Sequence, residues 1–253
     1  MTTVGAAELR LVAEQLTGRS VFMLFNSHWH GDHTFGSQVF ADMSIVATES
    51  TSQAMASDSP SDLDAYGAEL DAAIARFEVM LESDSEAGRI VAERRLRRLA
   101  LLQEDVGIFA MTLPALLIDD ELVVEDQRRV EILTYGGGHK DSDVFVWVPD
   151  VRAVVAGDLE FQGKHPRMLD ADPASWAEIL LRMLDLSPST VIPGHGEPGD
   201  EGQLELLIPY FEEAQGLLIE YDGDWANVPL PAGTEDWDWD YHYSQGLAAI
   251  AAR

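Results

Sequence analysis

The segment from His28 to His33 carries the densest set of reactive side chains in the sequence. It reads His-Trp-His-Gly-Asp-His and directly follows an apolar run at residues 21–25. Imidazoles at positions i and i+2 of an extended backbone share one face, and Gly31 lets the chain turn so that Asp32 and His33 face the same space. A lone histidine at a strand end commonly has only a structural role, but three within six residues predict metal binding. We expect two metal ions side by side.

Three further side chains of metal-binding type stand at glycine-rich turns after β-type runs. His139 follows the glycines at 136–138, His195 lies inside Pro-Gly-His-Gly, and Asp158 follows an apolar run that ends in Ala-Gly. Because sheets expose their strand ends as loops, such positions are where an α/β fold gathers its functional residues. Five of the seven histidines therefore lie at predicted strand ends, beside Asp32 and Asp158.

These four motifs, in the order in which they follow one another along the chain, resemble those of the metallo-β-lactamase-fold hydrolases. The similarity extends from about Arg10 to Gly199 and includes the H-x-H-x-D-H pattern of residues 28–33. The resemblance implies an α/β fold of the αββα sandwich type with two metal sites that share Asp158 as a bridge. The first site would be held by His28, His30 and His139, and the second by Asp32, His33 and His195.

The ligand types favour metal-activated water over a protein nucleophile. Imidazole and carboxylate ligands without thiolate suit zinc, and iron or manganese are also compatible, so we predict Zn²⁺ with two ions per chain. Two cations about 3.5–4 Å apart can share a water, lower its pKa toward 7 and present hydroxide to a carbonyl. The chain has no cysteine and no G-x-S-x-G turn for a serine nucleophile. Asp32, which would orient the bound water, and Asp158 are the predicted catalytic residues.

The predicted reaction is hydrolysis of a small ester, lactone, thioester or amide by a hydroxide that bridges two metal ions. The resemblance argues against β-lactams as native substrates, because a carboxylate at position 158 is typical of the superfamily's thioesterases, lactonases and other hydrolases. True β-lactamases generally have cysteine or serine there. Two alternatives stay open: an iron-dependent enzyme similar to the sulfur dioxygenases of this fold, and a binding module that is non-catalytic or completed by a partner subunit. Trp29, Lys140 and Lys164 are weak candidates for substrate binding, because the preferred interpretation of the last two is that they are mobile surface lysines.

Composition limits the partners and the location. The 253 residues include 16 basic and 45 acidic side chains, a formal charge of −29, which opposes attraction to nucleic-acid backbones. No run of 18 apolar residues predicts a membrane span, and the first 20 residues do not read as a signal peptide. The sequence therefore predicts a cytoplasmic enzyme with a small-molecule substrate, and leaves a homodimer open.

Apolar periodicity predicts a single domain over residues 1–253 in which strands alternate with helices. A helix over 5–17 and a strand over 20–26 are a shortened start for the first sheet of this fold. Either the start of the chain is trimmed, or that sheet is closed by the aromatic tail or a partner subunit. Helical periodicity over 62–110 predicts an insertion, about 60–112, that is a lid over the metals or a surface elaboration. Further strands are predicted at 44–48, 116–118, 122–125, 130–135, 144–148, 153–156 and 190–192, and helices at 176–184 and 204–220.

Three finer predictions concern pairing, charge and the C-terminal region, about 203–253. The strands at 116–118 and 122–125 flank Asp119-Asp120 and are interpreted as a hairpin. The arginines at 94, 95, 97 and 98 would either attract an anionic substrate or form a solvated helix face. The tail alternates aromatic and polar residues, so an extended segment would place its aromatics on one buried face, docked on the chain's own sheet. These aromatics are Trp237, Trp239, Tyr241 and Tyr243.

Overall fold

The computed structural model describes residues 2–58, 63–82 and 85–252, and the chain divides into two units. The first unit comprises Met1–Phe25, Trp29–Val46 and Ser52–Leu116, and the second comprises Asn26–His28, Ala47–Thr51 and Leu117–Arg253. The boundary therefore passes through the His28–His33 segment. The prediction of a single domain is not tested by this division. Within the described residues, none of the helices combines the length and the apolar character that a membrane span requires.

The first unit begins with helix α1, Thr3–Thr17. The Thr2 side chain accepts a hydrogen bond from the Gly5 backbone N–H at 3.2 Å, and Gly18 ends the helix with a φ of +65°. A hydroxyl at the start and a left-handed glycine at the end satisfy backbone groups that the helix leaves unpaired. Strand β1, Met23–Phe25, follows and pairs in parallel with β2, Ser44–Thr48.

Short elements complete the three-stranded sheet and the segment after it. Helix α2, Gly31–Thr34, lies between β1 and β2, and helix α3, Glu49–Asp58, follows β2. Strand β3, Leu116–Ile118, comes after the helical insertion, and the sheet order is β1-β2-β3. This sheet has three strands among the described residues, which agrees with the short first sheet that the sequence predicts.

The predicted insertion is a pair of helices, α4 over Leu63–Leu81 and α5 over Glu86–Asp105. The Ser85 side chain accepts the Gly88 backbone N–H at the start of α5, and the Gln103 side-chain amide donates to the Asp71 carboxylate at 2.8 Å. The helical periodicity of the sequence is thereby confirmed. Its role as a lid stays a prediction.

The second unit is built on a five-stranded sheet of order β4-β5-β6-β7-β8. Its first three pairings are antiparallel and the pairing of β7 with β8 is parallel. Trp176, Phe211, Met183 and Leu180 belong to its large buried core. The strands are β4, Glu121–Glu125; β5, Arg129–Thr134; β6, Val144–Val148; β7, Ala153–Phe161; and β8, Thr190–His195. The helices are α6, Pro173–Asp185; α7, Gly202–Glu220; and α8, Asp240–Ala251.

The predicted hairpin between residues 116–118 and 122–125 is wrong. Both segments are strands, but β3 belongs to the three-stranded sheet and β4 to the five-stranded sheet. Strand β4 instead pairs with β5, with Glu121 opposite Leu133 and Glu125 opposite Arg129. The pattern of apolar and polar residues identifies a strand but not its partner. Strand β3 lies next to β2 in its sheet, whereas β4 pairs with β5, the next strand along the chain.

The extended aromatic tail is also wrong in its second half. Helix α8 begins at Asp240, directly after Trp239, so Tyr241 and Tyr243 are helical. Residues two apart lie on different sides of a helix, and accordingly Tyr243 is buried whereas Tyr241 is exposed. The tail docks on the chain itself, but not on the sheet alone as expected. Trp237 stacks on Tyr210 of helix α7 with the ring planes 13° apart, whereas the Trp239 ring lies 6.2 Å from the Phe161 ring of β7.

Candidate metal centre

Asp158 is positioned by an irregular pairing of β7 with β8. Gly157 is opposite Pro193 and Phe161 is opposite His195, so four steps along β7 match two along β8. Such a bulge re-aims the side chains of the longer strand. Strand β7 continues to Phe161, so Asp158 lies within it and not, as the sequence predicts, just after a strand at 153–156. The His195 Nε2 atom is 3.4 Å from the Asp158 Oδ1 atom.

Glycine is required where β8 passes Asp158. A Cβ atom added at Gly194 would overlap the Asp158 Oδ1 atom and would lie 2.7 Å from the Gly157 carbonyl carbon. Gly157 has a φ of +56°, and a Cβ there would meet the Ser27 Cβ at 2.7 Å. Non-bonded carbon atoms do not approach this closely, so any larger residue would displace the carboxylate. The glycines next to the predicted ligands therefore allow the strands to come together around Asp158.

Two more imidazoles approach the other oxygen of Asp158. The Nε2 atoms of His28 and His139 lie 3.6 Å and 3.5 Å from Oδ2. Both histidines are fully buried and their rings meet edge to face with centroids 4.8 Å apart. The Ser27 hydroxyl is 3.1 Å from the Nδ1 atom of His28. Three histidines thus surround one buried carboxylate, with one imidazole at Oδ1 and two at Oδ2.

The loop that carries His139 is held by the carboxylate of Asp143. Its Oδ2 atom accepts the backbone N–H groups of Gly138 and Lys140, both at 2.9 Å. Complete burial raises the pKa of Asp143 to about 7, an effect that these backbone donors oppose. A Cβ at Gly138 would lie 2.9 Å from the Trp176 Cα, so the loop also needs glycine to pack on α6. No motif in the sequence identifies Asp143 as a support for His139.

The other three predicted ligands belong to the first unit. His30 is buried and precedes α2; its carbonyl accepts the backbone N–H groups of His33 and Thr34 at 2.9 Å and 3.1 Å and the Thr34 hydroxyl at 3.0 Å. These hydrogen bonds to the His30 carbonyl turn the chain at Gly31, the first residue of α2. The Asp32 Oδ2 atom lies 3.7 Å from the His33 Nε2 atom. The predicted turn after His30 is therefore observed as the start of a short helix.

The candidates for substrate binding lie in different surroundings. Trp29 packs edge to face on the His30 ring, with centroids 4.8 Å apart. Lys140 is buried and paired with the Asp170 carboxylate, and burial lowers the pKa of its ammonium group although Asp170 opposes that shift. Lys164 lies over the Trp239 ring at 5.6 Å. The interpretation of Lys140 as a mobile surface lysine is wrong, because its side chain is buried and paired with Asp170. Substrate binding by these three residues stays a prediction.

Trp239 lies next to a proposed metal ligand, a position that the sequence does not predict. Its ring meets the His195 ring edge to face at 5.0 Å and lies 6.2 Å from the Phe161 ring. Its φ of +72° is rare for a bulky residue. The backbone of Asp238 holds the segment by bonds to Gly163 and His165 at 3.0 Å and 2.8 Å. No spacing rule connects Trp239 to His195, because the two residues meet only when the tail folds back.

The donor set in the second unit fits a divalent transition metal. His28, His139 and Asp158 offer ligand atoms that all lie within 4.8 Å of one another, and His195 adds a third imidazole. Nitrogen and carboxylate donors without thiolate suit zinc and related ions. Their burial and close packing hold the donors in place, which favours ordered coordination. The second unit can therefore contribute four of the seven predicted ligands.

Comparison with known proteins identifies the family of the chain. The family model described as the metallo-beta-lactamase superfamily matches residues 1–195. The chain therefore belongs to the metallo-β-lactamase superfamily, and it is a mixed α/β protein of that fold with two sheets, as the sequence predicts. A search of curated protein sequences found no match to this chain.

Solved structures share the fold at low sequence identity. A metallo-beta-lactamase from Pontibacter korlensis is 17% identical, with a TM-score of 0.57 over 81% of this chain and 76% of that one. The DIM-1 metallo-β-lactamase exposed to ceftazidime is 20% identical, with a TM-score of 0.54 over 82% of this chain and 74% of the other. A second DIM-1 structure matches with the same identity and TM-score. At this identity the likeness shows the fold alone.

Proposed function

We propose that this protein is a dinuclear zinc hydrolase that acts on the carbonyl of a small ester, lactone, thioester or amide. The observation that carries the proposal is the division of imidazoles between the two oxygens of Asp158. His195 lies at Oδ1, whereas His28 and His139 lie at Oδ2. A carboxylate can bridge two ions by presenting one oxygen to each of them, so this division would suit Asp158 as a ligand shared by two ions. Membership of a superfamily of metal-dependent hydrolases supports the same function.

The ligand assignment follows from that division. His28, His30 and His139 would hold one ion, and Asp32, His33 and His195 the other, with Asp158 shared. His30 follows His28 by two residues, and His33 is next to Asp32, so the segment 28–33 supplies ligands to both ions. This assignment combines the geometry of the second unit with the motif order of the superfamily.

The chain's own residues would orient the reacting groups. When bound at these residues, two divalent cations would supply an activated water and a Lewis acid for the substrate carbonyl. The Asp32 carboxylate would accept a hydrogen bond from that water and thereby aim it at the carbonyl carbon. Asp158 would keep the two ions at a constant separation, because the packed glycines 157 and 194 leave its carboxylate little freedom to move. Hydrolysis then requires no covalent intermediate with the protein.

Other properties of the chain narrow the proposed substrate. A formal charge of −29 opposes binding to nucleic acid, so we expect a small molecule. The carboxylate at position 158, in place of the cysteine or serine typical of true β-lactamases, disfavours β-lactams. The proposals of a cytoplasmic location and of zinc as the metal ion rest on the sequence alone, which also leaves a homodimer open.

The decisive experiment combines metal analysis with a small substrate panel. Elemental mass spectrometry on protein purified without added metal counts the ions per chain. The same sample is assayed with a homoserine lactone, an acyl thioester and nitrocefin, and oxygen consumption is recorded in parallel. We expect about two zinc ions per chain, turnover of the lactone or the thioester, and little turnover of nitrocefin.

A matched pair of histidine variants provides the control. His28→Gln removes a proposed ligand and should lower both metal content and turnover, whereas His242→Gln makes the same chemical change at a histidine outside the proposed ligand set. One iron ion per chain with oxygen consumption would indicate an oxygenase instead. Correctly folded protein that holds no metal would favour a binding module without catalysis.

A further inference from the structure

The inserted helices line a cleft in the first unit that also includes a proposed ligand. The cleft has a volume of about 430 Å³. One part of its lining comes from the metal-binding segment and its continuation, and another from α4 and α5. The residues that matter for the argument are Asp32, Phe35, Tyr66, Arg98, Leu101 and Leu102. A volume of this size is suited to a small organic molecule.

Arg98 differs from its neighbour Arg97 in where its charge points. The Arg97 side chain is 81% exposed, and its Nη2 atom lies 3.8 Å from the Oε2 atom of Glu93, one turn earlier on the same helix. Arg98 lines the cleft, is 55% exposed, and places its Nη2 atom 3.8 Å from the Asp32 Oδ1 atom. The arginine run is therefore not a uniform solvated face, because one member turns toward the proposed metal-binding segment.

The contact between Arg98 and Asp32 leaves the guanidinium able to bind an anion. A distance of 3.8 Å is longer than a hydrogen bond, so the two groups attract each other without a committed bond. A guanidinium presents several N–H donors in a planar fork that matches a carboxylate. Asp32, as a proposed metal ligand, would direct its own negative charge to an ion. An anionic group of the substrate would then be the natural partner of Arg98.

Apolar side chains next to Arg98 define the rest of the ligand. Leu101 and Leu102 follow Arg98 on α5, and Phe35 projects from the end of α2. The Phe35 ring packs so closely on the preceding turn that a Cβ at Gly31 would lie 2.6 Å from it. A positive group beside an apolar wall suits a molecule that carries a negative charge at the edge of an apolar body.

We propose that this cleft binds the substrate and that Arg98 recognises a carboxylate located near the scissile carbonyl, with an apolar group against Leu101, Leu102 and Phe35. The inference rests on the proposed hydrolase function and specifies its substrate class. In the reaction, water adds to the acyl carbon, the bond from that carbon to the leaving oxygen breaks, and the leaving oxygen takes up a proton. Arg98 binds and orients the substrate and exchanges no proton.

Two esters that differ in one group test the proposal. 3-Acetoxybenzoate carries a carboxylate where 3-methylphenyl acetate carries a methyl group, and both release a phenol that can be followed by absorbance. We expect the metal-loaded enzyme to prefer the carboxylate ester in kcat/KM. Arg98→Gln should reduce kcat/KM for 3-acetoxybenzoate about tenfold or more, the effect of losing a charge-assisted pair, and change the neutral ester less than about threefold.

Two further variants and two further measurements separate recognition from general damage. Arg97→Gln removes the same charge from the same helix and should leave both esters unchanged, and Arg98→Lys should restore part of the lost preference. Thermal unfolding monitors the fold of each variant. Calorimetric titration with 3-hydroxybenzoate, the product, measures binding without turnover, and its Kd should rise in Arg98→Gln but not in Arg97→Gln.

The outcomes distinguish this proposal from the proposed function. If both esters are hydrolysed but Arg98→Gln changes neither kinetics nor product binding, the cleft proposal is wrong and the hydrolase stands. If no ester is hydrolysed but product binding still depends on Arg98 alone, the cleft stands as a carboxylate site and the hydrolase assignment is wrong. Product binding that is independent of Arg98, without turnover of either ester, overturns both.

Discussion

The two units present their proposed ligands in contrasting ways. In the second unit Asp158 is 4% exposed, its oxygens face three imidazoles, and glycines 157 and 194 pack directly against it. In the first unit Asp32 is 31% exposed, lies on a four-residue helix and borders a cleft with Arg98. Strand pairing and close backbone packing position the carboxylate of Asp158, whereas a short turn and side-chain contacts position that of Asp32.

This contrast suggests a division of labour within the proposed site. A buried carboxylate among imidazoles is suited to holding ions, because any movement of the ligands would leave uncompensated charge in a buried environment. A half-exposed carboxylate beside a cleft can meet water and substrate. We therefore expect substitutions in the second unit to affect metal retention most, and substitutions around the cleft to affect turnover and selectivity.

The largest effect is expected for Asp158→Asn. The amide retains the shape of the side chain but removes the negative charge that faces His28, His139 and His195. We expect the dialysed variant to lose most of both metal ions, and kcat/KM to fall by at least about 10³-fold, equivalent to about 4 kcal/mol of transition-state stabilisation. Elemental mass spectrometry and steady-state assays measure the two losses.

Asp32→Asn is the comparison for that variant. It should reduce kcat strongly while retaining about one ion per chain, since the His28 and His139 side of the centre is unchanged. Two tightly held ions and full activity in Asp158→Asn would remove the basis for the bridging assignment. Equal metal loss in both variants would show that the contrast between the units is not functional.

Gly194→Ala tests whether close packing positions Asp158. The added methyl group would overlap the Asp158 Oδ1 atom and crowd Gly157, so the carboxylate must move away from His195. We expect kcat/KM to fall about 10²-fold, because a ligand displaced by about 1 Å disturbs the reacting geometry. A chelator titration should show weaker retention of the ion on the His195 side.

Gly216→Ala is the matched control for this substitution. Gly216 lies within α7 and has no heavy atom within 4 Å of the added Cβ. Alanine favours a helix over glycine by up to about 1 kcal/mol, so this variant should be slightly more stable and fully active. Similar losses in both variants would indicate a general sensitivity of the chain to alanine and not a steric requirement at the metal centre.

A smaller effect is expected when the partner of Lys140 is removed. Asp170→Asn leaves the buried ammonium group without its counter-charge. We expect a stability loss of about 1–2 kcal/mol, modest because Asp170 is half-exposed and screened by solvent. The apolar Lys140→Met variant should cost less, and it should keep kcat/KM if Lys140 is structural. A large rise in KM in Lys140→Met would restore this lysine as a substrate-binding residue.

The smallest effect concerns the pH dependence of stability through His165. This histidine is buried, with its Nδ1 atom 3.0 Å from the Tyr210 hydroxyl, and burial lowers its pKa although Asp240 opposes the shift. The unfolded chain therefore binds the proton more readily than the folded one. The stability contributed by neutral His165 is present above the unfolded pKa of about 6.5 and is lost as the pH falls toward the lowered folded pKa.

His165→Gln removes this titration while keeping a polar side chain near Tyr210. Between pH 7.5 and 5.5, the variant should lose less unfolding free energy than the wild-type protein. The difference in slope is at most about 1.4 kcal/mol per pH unit, the limit for one proton. Denaturant unfolding at both pH values measures it, and identical slopes would mean that His165 is not the group responsible.

Much of the fold could be predicted because its signals are local. The β2 and β6 strands occur at the predicted residues 44–48 and 144–148, and the inserted helices follow the predicted helical periodicity. The sequence did not show that β3 joins β2 and not β4, since the pattern within a strand carries no information about its neighbour. Helix α8 was missed because the alternating aromatics fit an extended strand equally well, and burial of Tyr243 favours the helix only after the tail has folded back.

By itself the sequence determined the residue types available for the chemistry and their association with glycine-rich segments, because ligand identity and glycine turns are local properties of the chain. Tertiary structure alone decided that His195 meets one oxygen of Asp158 while His28 and His139 meet the other, that Trp239 lies on His195, and that Arg98 faces a cleft while Arg97 faces solvent. These arrangements join residues that are far apart in sequence or depend on which side of a helix is covered. Only the packing of the folded chain determines them.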